Sequence, residues 1–388
     1  MNSSSIETGV NPRKRWIWLV VIAIVVIAAI VIFSIVSRSA SPSELVIGIV
    51  FPMSGNLGYV GQMEADGMRL AVKDINAKAN SKDILLRLQV DDSQGKPDIG
   101  VTATKKMMSV DKIKVIASSI SGVTLGLKPV VETNNGILIG LCMHPNFYKD
   151  SPNTFRFYEG VEQESQGFIE YYRKLSAKNP GAITGVLYAD VPNVREQLEN
   201  YVRPELKKLK MDFKVAEPYQ LSDKEFRDKV TKIKNAGITN LMLLGYGFEY
   251  PNIFKALKEQ KVLPGVQIVG GWGFLYNKVP KEDLEGITVV GPSYVFEQPN
   301  DVKDFYTRFK TEFGYDANFD AAMTYAAVQL ISEAIRKSKT ITPEALGESL
   351  RSLRDVKTLI GITSVNDQGA TEFKIGIGVF RNGMLIAR

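Results

Sequence analysis

The residues with the clearest potential for binding chemistry are hydroxyl side chains grouped in one short segment. Residues 118–124 read SSISGVT and directly precede a helix-like segment. Hydroxyl groups and free backbone N–H groups at the start of a helix suit an anionic or carbonyl group of a ligand. The segment predicts ligand contacts from Ser119, Ser121, Gly122 and Thr124. The alternative is that Ser121 and Thr124 only cap the helix.

A second candidate loop lies between the first strand-like and the first helix-like segment. Residues 52–59 read PMSGNLGY, and Ser54 and Tyr59 are the side chains in it that could contact a ligand. Tyrosine offers a flat apolar face together with a hydroxyl group. The alternative is a glycine-rich turn that only positions the helix.

The only cysteine and the only histidine of the chain, Cys142 and His144, flank Met143 after another strand-like segment. We predict ligand contacts from Met143 and His144, with His144 donating best to an anion when it is protonated. Two soft ligands two residues apart are too few for a metal site. No neighbouring residue would orient His144 as a base for Cys142. The sequence therefore predicts no catalytic residue, no metal site and no cofactor.

Aromatic residues dominate the candidate loops of the second half of the chain. The candidates there are Asn193, Tyr246, Phe248, Glu249 and Trp272. Several aromatic side chains in neighbouring loops predict a stacking or apolar pocket. The alternative is that these aromatic side chains pack in the hydrophobic core or between two lobes of the fold.

The elements that position these loops alternate between strand and helix. Apolar strand-like segments such as Leu45–Phe51 are followed by segments with apolar residues at helical spacing. This pattern predicts an α/β fold with parallel sheets covered by helices on both faces. Ligands of such sheets bind beyond the carboxyl ends of the strands, where all the candidate loops fall. The exception is an antiparallel hairpin predicted over residues 372–387, with Asn382-Gly383 at its turn.

Residues 16–36 are almost uninterrupted apolar sequence, long enough at 21 residues to cross a bilayer as a helix. Three basic residues precede this segment at 13–15, which predicts a cytoplasmic N-terminus (1–15), an anchor (16–36), a linker (37–44) and an extracytoplasmic remainder. The alternative is a cleaved signal peptide, which would leave a periplasmic protein. Signal peptides usually have a shorter apolar region, of about 7–15 residues.

Composition limits the remaining possibilities. The chain has 388 residues, 45% of them hydrophobic and 23% charged, with a net charge of +6. The part after residue 44 is long enough for two lobes of ordinary size. No basic run with interleaved aromatic residues occurs there, so nucleic acid is not a predicted partner.

From about residue 44 onward, the chain resembles the type I periplasmic solute-binding proteins of the branched-chain amino acid class. The segments that carry the resemblance are IGIVFPMSG at 47–55, the helix-like segment 61–76, Asp91-Asp92, the loop 118–124 and FDAAMTYAA at 319–327. Their order and spacing cover nearly the whole region after residue 44.

The resemblance implies two doubly wound lobes that are joined by three crossovers and close on a ligand by hinge motion. The crossovers are expected near 155–159, near 290–294 and shortly after Leu350. This places residues 45–157 and 293–350 in lobe 1, and residues 158–292 and 351–388 in lobe 2.

The same resemblance implies the solute-binding component of an ABC importer, with permease subunits as partners and the membrane as a further partner through the N-terminal helix. Amino-acid binders of this family usually carry an acidic residue where this chain has Trp272. The ligand is therefore expected to be small and aromatic or carboxylated, not a standard aliphatic amino acid. The alternative function is a ligand-sensing ectodomain that acts through a partner protein. An enzyme is not predicted, because no nucleotide-binding glycine motif or nucleophile elbow is present.

Overall fold

The computed structural model describes residues 43–80, 83–145, 147–338 and 340–388. The predicted membrane segment 16–36 and the predicted N-terminus before it lie outside these residues. Within the described part of the chain, every helix is too short or too polar to cross a membrane.

The first half of the chain forms a five-stranded parallel sheet, in the order β2-β1-β3-β4-β5. Its strands are β1 (Glu44–Phe51), β2 (Leu85–Asp92), β3 (Val115–Ser119), β4 (Ile137–Leu141) and β5 (Thr154–Arg156). Helices α1 (Gly58–Ala77), α2 (Pro97–Ser109) and α3 (Ser121–Thr133) connect the strands. Strands β3 and β4 are buried along their whole length, as expected for a parallel sheet covered on both faces.

The second sheet has seven strands, in the order β15-β14-β10-β9-β8-β6-β7. They are β6 (Thr184–Ala189), β7 (Val215–Tyr219), β8 (Asn240–Leu244), β9 (Gln267–Gly270), β10 (Thr288–Pro292), β14 (Ile375–Arg381) and β15 (Met384–Ala387). Its helical elements are α4 (Val161–Lys178), α5 (Pro192–Glu196), a π-helical turn (Gln197–Val202), α6 (Arg203–Lys208), α7 (Arg227–Asn235), α8 (Tyr250–Glu259) and α9 (Ser293–Glu297). Strands β14 and β15 pair antiparallel, and β14 also pairs antiparallel with β10.

The last three helices follow β10 of the second sheet in sequence, but their apolar residues pack in the same core as the first sheet. These are α10 (Asn300–Phe313), α11 (Phe319–Ser338) and α12 (Pro343–Arg351), followed by a three-stranded sheet of β11 (Val356–Thr358), β12 (Gly361–Val365) and β13 (Thr371–Glu372). Apolar residues of this small sheet, such as Val365, belong to the same core cluster as β1.

The lobe boundaries given above remain a prediction, but the strand order places one crossover differently. The chain joins the seven-stranded sheet only at Ile375, later than the expected position shortly after Leu350. The reason is packing: Leu353, Leu359 and Val365 are buried in the core of the first lobe, where they cover α11. The strand predicted to begin at residue 372 likewise begins at Ile375, because Glu372 pairs within the small sheet.

Helices α1 and α11 lie against each other, and Gly67 allows their close approach. A Cβ atom at Gly67 would lie 2.3 Å from both the Ala321 carbonyl oxygen and the Thr324 Oγ1. Asp320, at the start of α11, is completely buried.

We expect the substitution Gly67→Ala to destabilise the protein, because its methyl group would force the two helices apart. Overpacking of this kind costs about 1–3 kcal/mol. Chemical denaturation measures the free energy of unfolding, and Gly181→Ala is the matched control because its Cβ would have no neighbour closer than 3.7 Å. Equal stability of the two variants would contradict close packing of α1 on α11.

Candidate functional site

A cavity lies between the two lobes, at the carboxyl ends of both sheets. The first lobe contributes Tyr59, Glu64 and Ser121, and the second contributes Asn193 and Trp272. The wall therefore combines loops that are more than two hundred residues apart in sequence.

The hydroxyl-rich loop reaches this cavity at the start of α3. Ile120 precedes the helix with a φ of 65°, an uncommon conformation for a β-branched residue. Ile120 and Ser121 both line the cavity. The first N–H groups of a helix have no intrahelical acceptor, and no side chain caps those of α3. The capping role considered for Ser121 and Thr124 is therefore not what this helix shows.

The other predicted residues of this loop are placed behind or outside the wall. Thr124 is buried and donates a hydrogen bond to the Ser118 hydroxyl at 3.1 Å, which holds the loop in shape. Ser119 is fully buried next to Glu64, whose pKa is raised well above its usual range chiefly by burial. Gly122 is exposed.

Four aromatic rings form one continuous part of the wall, and we call them the aromatic cage: Tyr59, Tyr246, Trp272 and Tyr276. Tyr246 and Trp272 lie 4.8 Å apart between ring centroids at 86°, and Trp272 and Tyr276 lie 5.6 Å apart at 88°. Tyr276 and Tyr59 lie 6.3 Å apart at 78°. Successive rings are thus nearly perpendicular and pack edge to face, an arrangement that aromatic pairs prefer.

The Trp272 loop is held in place by a buried carboxyl group on α4. The backbone N–H of Trp272 donates a hydrogen bond to Glu164 Oε1 at 2.7 Å. The side-chain amide of Gln197 donates a hydrogen bond to the other carboxyl oxygen of Glu164. Gly271 makes room for this contact, because a Cβ there would lie 2.1 Å from Glu164 Oε1. Burial raises the pKa of Glu164 to about 7.

Glu249 has a comparable positioning role beneath Tyr246. Its Oε1 accepts hydrogen bonds from the Tyr246 N–H and the Tyr219 hydroxyl, both at 2.7 Å. Glu249 therefore lies behind the aromatic cage and is not part of the cavity wall. Phe248 is 42% exposed and also lies off the wall. The Tyr246 hydroxyl contacts Asn193, and burial raises the pKa of Tyr246 to about 12.

Asp320 connects the lobes directly behind the cavity. Its carboxylate accepts hydrogen bonds from Tyr158 at 2.8 Å, from Asn318 at 3.0 Å and from Tyr276. Tyr276 follows strand β9 of the seven-stranded sheet, Asp320 lies at the start of α11, and Tyr158 follows strand β5 of the five-stranded sheet. Asp320 is completely buried, and this burial raises its pKa to about 6.

The loop after β4 contributes Cys142 and Met143 to the wall, whereas His144 is half-buried beside it. Burial raises the pKa of the Cys142 thiol to about 11 and lowers the pKa of His144. Ser54 lies outside the cavity, where its hydroxyl donates a hydrogen bond to Asp92 at 2.5 Å. In the described ranges, no three His, Cys, Asp or Glu residues are grouped so that they could hold a metal ion.

Sequence reasoning missed three polar residues of the wall and one residue behind it. They are Glu64, Tyr158, Tyr276 and Asp320. Tyr276 follows Trp272 by four residues, and Asp320 lies in the FDAAMTYAA segment, so position alone could have suggested these two. Glu64 gave no signal, because a single glutamate in an amphipathic helix normally faces water.

Comparison with known proteins gives a consistent result. A family model described as periplasmic binding protein matches residues 44–375. The leucine-specific-binding protein of Salmonella typhimurium is 24% identical over 351 residues, which covers 88% of this chain and 92% of that protein.

Two solved structures show the same fold. The branched-chain amino acid transporter substrate-binding protein of Streptococcus pneumoniae, in complex with isoleucine, is 20% identical, with a TM-score of 0.72 over 89% of this chain and 98% of that chain. A solute-binding protein of an ABC transporter from Rhodopseudomonas palustris, in complex with 3,4-dihydroxybenzoic acid, is 19% identical, with a TM-score of 0.76 over 89% of this chain and 96% of that chain.

The buried Glu164 predicts a specific pH dependence of stability. Its pKa is about 7 in the folded protein, compared with 4.5 for an unperturbed glutamate. The folded state therefore holds the proton more tightly, which stabilises it fully below about pH 4.5, and this contribution is lost as the pH rises through 7. A shift of this size corresponds to about 3 kcal/mol.

We expect Glu164→Gln to reduce the loss of stability between pH 5 and 8, because the amide does not ionise. Denaturation of both proteins across this range measures the effect. Glu170→Gln is the control, since the side chain of Glu170, on the same helix, is 43% exposed. A parallel pH profile for Glu164→Gln and the unmodified protein would contradict the raised pKa.

Proposed function

This chain belongs to the type I periplasmic binding protein family of the branched-chain amino acid class, and from this we propose that it is the extracytoplasmic solute-binding component of an ABC importer. It captures a small ligand between two hinged lobes and delivers it to permease subunits. The proposed location is the outer face of the cytoplasmic membrane with the N-terminus inside, or the periplasm if the N-terminal segment is cleaved.

The observation that carries this proposal is the composition of the cavity wall. Ser121 comes from the first lobe, Trp272 and Tyr276 from the second, and Tyr158 from the crossover between them. A ligand in this position would contact both lobes and favour their closed arrangement over an open one.

The aromatic rings and the start of α3 suggest which ligands fit. The rings offer an apolar surface, and the N–H groups at the start of α3, next to Ser121, can receive a carboxylate. An aromatic or carboxylated small molecule remains our proposal, as the sequence suggested. One structural relative binds 3,4-dihydroxybenzoic acid and another binds isoleucine, so the fold accommodates both kinds of molecule.

Binding, not catalysis, is the activity that the side chains favour. The Cys142 thiol is buried, and its pKa of about 11 keeps it protonated at neutral pH, whereas a cysteine nucleophile acts as the thiolate. Import is preferred over sensing because the relatives described above are named for solute binding or transport.

The first test is a thermal unfolding screen of the full-length protein against a metabolite library. A ligand at about 100 times its dissociation constant should stabilise the folded state by roughly 2.7 kcal/mol. We expect Trp272→Ala to weaken binding of that ligand at least about tenfold, because an aromatic anchor in a buried site commonly contributes more than about 1.4 kcal/mol.

Met384→Ala is the control for this substitution, since Met384 is 64% exposed on the edge strand β15. Unchanged affinity of the Trp272→Ala variant would contradict a binding site between the lobes. Turnover of the ligand to another compound would overturn the binding-protein proposal itself.

The hydrogen bond from Tyr276 to Asp320 predicts a measurable effect on lobe closure. Tyr276→Phe removes this bond while Tyr158 and Asn318 still bind Asp320. A loss of about 1 kcal/mol would shift the ratio of closed to open molecules roughly fivefold towards the open form. Small-angle scattering of the ligand-free variant should therefore give a larger radius of gyration. An unchanged radius would show that this bond does not hold the lobes together.

A further inference from the structure

The aromatic cage places four aromatic rings on one part of the cavity wall, and the faces of such rings can bind a positively charged group. Its rings are nearly perpendicular in succession, with angles of 86°, 88° and 78°. The face of an aromatic ring carries negative electrostatic potential, and several faces around one point attract a cation. Tyr and Trp, the residues of this cage, are stronger partners for cations than most other side chains.

The described cavity wall contains one acidic side chain. Glu64 lines the cavity from α1, is only 2% exposed, and its Oε2 has no hydrogen-bond partner among the described residues. No Lys, Arg or His occurs among the residues that line the described cavity. The buried cation Arg156 is paired with Glu162. A buried carboxylate without a counter-charge is costly, and a cationic ligand would supply that charge.

A second acid makes the same end of the cavity more negative. Asp320 lies behind the wall and accepts hydrogen bonds from the hydroxyl groups of Tyr158 and Tyr276. Hydrogen bonding of a phenol to a carboxylate increases the electron density of the ring, which strengthens its attraction for a cation. Burial, followed by the charge of Asp320, raises the pKa of Glu64 well above its usual range, as expected for an acid that lacks its positive partner.

We propose that the ligand of this protein carries a methylated ammonium group, which the aromatic cage encloses and Glu64 faces. This inference rests on the proposed solute-binding function and specifies its ligand class. A methylated ammonium is favoured over a primary one because ring faces and apolar side chains, such as Val60 and Met143, make up most of the cavity wall. A carboxylate on the same ligand would bind separately, at the start of α3.

The test compares ligands that differ only in charge. The probes are choline and glycine betaine, each paired with its analogue in which a quaternary carbon replaces the nitrogen. Calorimetric titration of the full-length protein should show at least about tenfold tighter binding of one ammonium compound than of its carbon analogue. Equal affinity within each pair, or no binding of either ammonium compound, would overturn the inference.

Two sets of variants localise the charge effect. Tyr59 is 48% exposed, so its replacement leaves the fold intact. Tyr59→Leu should weaken ammonium binding about threefold to fivefold, and Tyr59→Phe, which keeps the ring face, should not. Glu64→Gln should weaken ammonium binding at least about tenfold without affecting the carbon analogue. Glu348→Gln is the exposed control, and thermal unfolding of each variant confirms folding. Equal ammonium affinities for Tyr59→Leu and Tyr59→Phe would contradict the cage.

Isoleucine and 3,4-dihydroxybenzoate, the ligands of two structural relatives, separate this inference from the proposed function. Binding of either one that is lost in Trp272→Ala, with the ammonium compounds inert, would keep the solute-binding function and overturn the methylated-ammonium ligand. Absence of any ligand in the wider metabolite screen would count against the function itself.

Discussion

The cavity wall depends most on the buried carboxylate of Asp320. It accepts hydrogen bonds from Tyr158 at the first crossover and from Tyr276 in the second lobe. Because Asp320 begins α11, which packs along α1, its position is fixed by the core of the first lobe. The contact between the loops of the two large sheets and the orientation of two wall residues therefore depend on the same group. An interaction of this kind lets a ligand that contacts Tyr276 influence lobe closure.

Buried carboxyl groups recur around the cavity, and each has a distinct structural task. Glu164 binds the backbone of Trp272, Glu249 binds the backbone of Tyr246, and Asp320 binds the side chain of Tyr276. Three members of the aromatic cage are thus held by acids from the elements behind them. The burial of these groups raises the pKa of Glu164 and Asp320, so the site has a cost in stability that the apolar cores of both lobes offset.

The sequence predicted the α/β fold and most loops of the site, because both follow from local patterns. Apolar strands such as β1 and β4 are recognisable from their residues, and loops after parallel strands must meet at one edge. Tyr59, Ser121, Met143, Asn193, Tyr246 and Trp272 all lie on the wall of the cavity; that they bind a ligand stays a prediction. The roles of Glu249 and Asp320 depend on contacts over 30 and 162 residues of sequence separation, which no local pattern encodes. The third crossover was misplaced for the same reason, since only packing on the first lobe shows where residues 356–372 belong.

The fluorescence of Trp272 tests the central claim most directly, because the other two tryptophans, Trp16 and Trp18, can be replaced by phenylalanine. In that background, a ligand that stabilises the protein against unfolding should change the emission of Trp272 in a saturable way. The dissociation constant from emission should equal that from calorimetry. A stabilising ligand that leaves Trp272 emission unchanged would contradict binding between the lobes.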